Sequence, residues 1–177
     1  MNEGIIERWN AQVNDDDTVY VIGDLAMGRT KETIPLATRL AGTKILIRGN
    51  HDKATTVTYL RDGGFESVLK DVTIEIAGTD RQLQLCHYPF AGDSKETDRY
   101  SDRRPTDRGQ WLACGHVHDR WRQRGRMINV GVDAWGGHIV TEGDLVALIN
   151  AGPNDLSVLG WEIAAEDSPF GALAATE

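Results

Sequence analysis

Four of the five histidines in this chain, His51, His87, His116 and His118, fall one to three residues beyond an apolar, strand-like run. Asp24 follows the run Val19–Gly23 in the same way, and Asn50 follows Lys44–Arg48. Imidazole nitrogens and carboxylate oxygens together suit divalent ions such as manganese, iron and zinc. The six residues come from remote parts of the chain, so no local structural role explains them as a set. Gly23, Gly49 and Gly115 directly precede Asp24, Asn50 and His116. Glycine there is expected to let the backbone turn sharply and aim the next side chain above a sheet.

The elements that must position these groups can be read from periodicity. Residues 3–13 carry Ile5, Ile6, Trp9 and Val13 at helical spacing. Val19–Gly23 and Lys44–Arg48 read as buried strands, with helices over 31–41 and 54–62 between and after them. Val72–Ile76 and Leu83–Leu85 alternate apolar and polar residues around the turn signal Gly78-Thr79-Asp80, which predicts a hairpin. Trp111–Gly115 and Met127–Gly131 are two more strands, and 144–150 and 157–163 fit helix or strand equally. Helix–strand alternation followed by a strand-rich half predicts layered α/β packing, as one domain over 1–163 with a flexible tail at 164–177. In open α/β sheets functional groups gather at the carboxyl ends of strands, where all six candidates fall.

The ordered set Gly23-Asp24, Gly49-Asn50-His51-Asp52, His87 after a strand, and Gly115-His116-Val117-His118 resembles the calcineurin-like metallophosphoesterase family. The resemblance covers residues 23–118. It implies a mixed β-sandwich flanked by helices, and hydrolysis of a phosphomonoester or phosphodiester at a dinuclear site. Manganese is the first expectation for the metal, with iron, zinc, nickel and magnesium as the others. By the same resemblance Asp24 bridges two metals, Asn50, His87 and His116 complete one, and His118 binds the other. His51 contacts the phosphate and protonates the leaving oxygen, with Asn50 also on the substrate side; Arg48 and Tyr88 flank the motif residues and are read as further substrate contacts.

The sequence departs from the family in two places. An Asp-x-His pair is expected on a first strand, and none precedes Asp24. Truncation ahead of Met1 is the favoured expectation, which removes a strand, exposes a sheet edge open to homo-oligomerisation, and impairs activity. Met27 stands where relatives carry an Asp that orients the catalytic histidine. The competing function is a non-catalytic interaction module that keeps the fold and at most one structural metal.

Composition limits the partners. A net charge of −8 weighs against non-specific nucleic-acid binding, and no apolar run is long enough to span a membrane, so a cytoplasmic location is expected; the small phosphorylated substrate is what the resemblance implies. The loop 91–109 mixes Arg99, Arg103, Arg104 and Arg108 with Asp93, Glu96, Asp98 and Asp102, and a solvated loop is the favoured reading. Cys86 and Cys114 adjoin histidine motifs, but strand alternation points Cys86 away from His87, against a shared zinc site. His138 lies outside any motif and is read as structural.

Overall fold

The computed structural model describes residues 2–25 and 28–159; Met27 and the tail at 164–177 lie outside them. The first sheet is built from three parallel strands, β1 (Thr18–Val21), β2 (Thr43–Ile47) and β3 (Ser67–Leu69), in the order β1-β2-β3. Helix α1 (Asn2–Gln12) precedes it. The second sheet has six strands in the order β4-β5-β6-β8-β7-β9, mixed parallel and antiparallel. These are β4 (Asp71–Glu75), β5 (Gln82–Cys86), β6 (Trp111–Cys114), β7 (Gln123–Gly125), β8 (Met127–Asn129) and β9 (Asn154–Leu156).

Alternation along the strands sorts the side chains into three apolar layers. Tyr20, Ile22 and Ile47 of the first sheet meet Leu83, Leu85, Trp111, Ala113 and Ile128 of the second, so the two sheets share one core. Val21 and Leu46 point the other way, against Ile6, Ile34, Ala37 and Tyr59 of the helical layer. On the far face of the second sheet, Cys86, Leu112 and Cys114 pack with Tyr88, Val117 and Trp121. This is the helix-flanked sandwich the resemblance implies.

Several element boundaries differ from the sequence reading. Residues 31–41 do not form one α-helix: α2 (Thr30–Thr33) gives way to a 3-10 helix over Ile34–Arg39. Pro35 lacks the N–H an α-ladder needs. Ile5 of α1 is exposed, and Ile6 alone of that pair faces the core. Helix α3 (Thr56–Gly63) starts at Thr55, whose side chain accepts from the Thr58 amide, and ends at Gly64 with φ 65°. The segment 144–150 is helical, within α4 (Glu142–Ala151), started by a capping box between Thr141 and Asp144. Of 157–163, Leu159 forms an isolated bridge with Trp135, and the residues beyond it lie outside the described range. Strand β1 ends the first sheet, so its outer edge pairs with no strand among the described residues. No helix among the described residues is long and apolar enough to cross a membrane.

Candidate metal centre

The carboxyl ends of β1, β2, β5 and β6 open onto one edge, and each loop there delivers a candidate residue. Four of the six candidates converge. Asn50 Oδ1 lies 3.1 Å from His87 Nε2 and 2.9 Å from His116 Nδ1. Asp24 Oδ2 stands 3.5 Å from His87 Nε2. His87 is 1% exposed and His116 is 6% exposed, so both rings are held in a dry setting.

The group behind each ring favours one tautomer for ligation. His87 Nδ1 is 3.0 Å from the Ile22 carbonyl, which can only accept, so the proton sits on Nδ1 and the Nε2 lone pair faces Asn50 and Asp24. His116 Nε2 faces the Asp93 carboxylate at 3.3 Å, and a proton held on that side leaves the Nδ1 lone pair toward Asn50. Burial lowers the His116 pKa, and Asp93 opposes that shift. In these tautomers lone pairs from two imidazoles, a carboxylate and an amide oxygen meet, an arrangement that a cation relieves.

The donor set fits one divalent ion. Ligands held about 2.1 Å from such an ion stand about 3.0–3.4 Å from one another, close to the separations of the quartet. The amide oxygen of Asn50 is the hub: among the described residues, no three His, Cys, Asp or Glu side chains by themselves form a group that could hold a metal. His118 does not join the quartet. It is exposed, and its carbonyl accepts from Asn129 Nδ2 at 2.7 Å. His51 is also exposed, at the rim, with its backbone N–H donating to Asp24 Oδ1 at 2.8 Å.

Asp24, His116 and His118 have φ of 56°, 69° and 51°. Left-handed backbone is uncommon outside glycine, and where it clusters it marks functional loops. The preceding glycines contribute in two different ways. Gly23 turns the chain at φ 81°, as expected. Gly49 and Gly115 are not left-handed, so the sharp-turn expectation fails for them and close approach replaces it. A Cβ on Gly49 would lie 2.3 Å from Asp24 Oδ1, and one on Gly115 would lie 3.0 Å from the Ile22 carbonyl.

Two residues that the sequence reading undervalued hold the site in place. Asp52, 4% exposed, accepts from the amides of Asp24 (2.7 Å), Gly49 (2.8 Å) and Leu25 (3.1 Å) and from the Tyr59 hydroxyl (3.3 Å). It therefore ties the β1 loop to the β2 loop. Asp93 lies inside the loop read as solvated, yet its side chain is 1% exposed. Burial pushes its carboxyl up, but hydrogen bonds from the Arg99 guanidinium, the Arg99 and Lys95 amides and His116 outweigh this and hold it well below the usual carboxylate range. Arg104 pairs with Asp98 and donates to the Gly92 carbonyl, so the loop closes on itself. Tyr100 from the same loop packs against His116 and Tyr88, with ring centroids 5.5 and 5.6 Å apart. The spacing of Asp93 from Arg99 was the available signal, hidden among the other charges.

Cys86 and Cys114 are free and buried in the apolar layer behind the site, where burial pushes both thiols up. His138 is part-buried, with its amide donating to the Trp135 carbonyl. A cleft of about 350 Å³ lined by Gln82, Gln84 and Arg108 lies elsewhere; none of the six candidates lines it.

Comparison with known proteins bears on the family and the fold. Residues 2–152 match the model of the calcineurin-like phosphoesterase superfamily domain. The chain is similar to the Gene 66 proteins of Mycobacterium phage L5 and phage D29. It is 33% identical to the first over 168 residues, covering 82% of this chain and 79% of the relative. It is 31% identical to the second over 150 residues, covering 74% of each. A crystal structure of a protein of unknown function, AQ665 from Aquifex aeolicus, superposes with a TM-score of 0.54 at 24% identity. That match covers 87% of this chain and 80% of the other, and it speaks for the fold alone.

Proposed function

Because the chain belongs to the calcineurin-like phosphoesterase superfamily, we propose that it is a metal-dependent hydrolase of a small phosphomonoester or phosphodiester, acting in the cytoplasm with manganese as its metal. The observation that carries this reading is the convergence on Asn50 Oδ1 of His116 Nδ1 at 2.9 Å and His87 Nε2 at 3.1 Å.

Asp24, Asn50, His87 and His116 would hold the ion, and His118 would contribute at a neighbouring position. When bound, a divalent ion supplies Lewis-acid stabilisation of phosphoryl charge and a more acidic water. The chain supplies the rest. Ile22 and Asp93 would hold the two imidazoles in the ligating tautomer. Asp52 sets the spacing of the loops that carry Asp24 and Asn50. His51, at the exposed rim, would protonate the departing oxygen, and Arg48 would lie beside the substrate.

Hydrolysis of bis(p-nitrophenyl) phosphate and p-nitrophenyl phosphate with added manganese tests the proposal. Turnover should depend on metal, vanish with chelator and fall sharply in His51→Ala and His87→Ala. A folded chain that binds manganese yet turns over neither ester would support the non-catalytic module instead.

A further inference from the structure

Beside the quartet lies a cavity of about 610 Å³ whose lining includes Arg48, Lys53, Lys70, Arg103, Asn50 and Tyr88. Four cations around one cavity stand out in a chain of net charge −8. Topology explains part of the gathering. Strands β2 and β3 are parallel and end side by side, with the Arg48 amide donating to the Leu69 carbonyl at 2.9 Å. Arg48 and Lys70 are thus the first residues past the two strands, at the edge that also presents Asn50. Arg103 arrives from the 3-10 turn Ser101–Arg103 in the loop 91–109 and donates to the Tyr88 hydroxyl at 3.4 Å.

The positive charge in this cavity is only loosely countered, with the Asp102 charge acting on Arg103 from a distance. Among the described residues none of the four cations forms an ion pair, whereas Arg99, Arg104 and Arg126 each do. Arg48 Nη1 donates to the carbonyls of Asp52 and Ala54. Asp52 is the one carboxylate in the lining, and its oxygens are turned inward onto three amides and the Tyr59 hydroxyl. A concave site lined by four cations that form no ion pair among the described residues selects a compact anion.

We propose that this cavity receives a second phosphoryl group of the substrate, distinct from the one hydrolysed, so that the substrate class is a small molecule carrying two or more phosphates. The inference rests on the phosphoesterase reading, which places the scissile group at Asn50 and His51. A long polyanion such as nucleic acid is disfavoured, because beyond the cavity it meets a surface of net negative charge.

Calorimetric titration of orthophosphate and tripolyphosphate into the chelator-treated chain at 150 mM salt tests it without any turnover. Tripolyphosphate should bind at least about tenfold more tightly, since it can reach both positions. In Lys70→Ala/Arg103→Ala that advantage should shrink to about threefold or less, and Lys70→Arg should keep it. Thermal melting checks that the exposed double variant folds; Lys53→Ala, also exposed, gives an independent partial loss. Equal affinity for the two anions, or an advantage that survives the double variant, overturns the inference. Manganese-dependent ester hydrolysis without tripolyphosphate preference removes this inference alone. Preference without any hydrolysis overturns the phosphoesterase reading and with it the substrate assignment.

Discussion

Asp93 Oδ2 stands 3.3 Å from His116 Nε2, on the side of the ring opposite Asn50. A carboxylate behind an imidazole holds the tautomer and makes the facing nitrogen a better ligand. Asp93→Asn should therefore weaken manganese binding by about 10- to 100-fold while the fold persists. Calorimetric titration of manganese into both proteins measures this, and unchanged affinity would remove Asp93 from the site.

Asp52 joins two loops through three amides. Asp52→Ala leaves those buried N–H groups without an acceptor, each costing about 1–3 kcal/mol. We expect a loss of about 3 kcal/mol or more in urea unfolding, together with loss of metal binding. A loss under about 1 kcal/mol would mean that water or another oxygen replaces the carboxylate.

Gly49 permits contact that no other residue allows. Gly49→Ala puts a Cβ 2.3 Å from Asp24 Oδ1 and 2.7 Å from the Asp24 amide, so Asp24 must move. Metal binding should be abolished, with a stability cost of about 1–3 kcal/mol from overpacking. Gly4, in exposed α1, has nothing within 4 Å of its added Cβ, and Gly4→Ala should stabilise the protein by about 0.5–1 kcal/mol. Similar losses at both positions would sink the close-approach argument.

Tyr59 carries a pH signature. Burial, and then the charge and hydrogen bond of Asp52, push its hydroxyl up to about 12. A folded-state pKa raised above the unfolded value of about 10 gives stability that is complete below about pH 10 and is lost as pH rises toward 12. The stability advantage of wild type over Tyr59→Phe should be constant from pH 7 to 9.5 and then narrow. A gap that stays flat up to pH 11.5 in chemical denaturation would contradict it.

The motifs were legible because each consists of adjacent residues of unusual type, as in Gly49-Asn50-His51-Asp52. The strands carrying them were legible as apolar runs. Strands β3, β7 and β9 were not, since three-residue strands such as Gln123–Gly125 carry too little alternation to register. The single helix expected over 31–41 ignored Pro35. Asp93 was concealed for a different reason. A loop dense in both charge signs reads as solvated, and only the fold reveals which carboxylate turns inward toward His116. Asp52 was visible as a motif letter, but its task depends on amides 27 and 28 residues away.

The left-handed backbone at Asp24, His116 and His118 has an engineering consequence. An L-residue in that conformation costs about 1 kcal/mol relative to glycine, so the loops that gather the ligands work against the melting temperature. Selection for thermal robustness alone would favour glycine at these positions and remove the Asp24 and His116 side chains that meet at Asn50. A library ranked by heat resistance should therefore be ranked again by manganese affinity before any variant is kept.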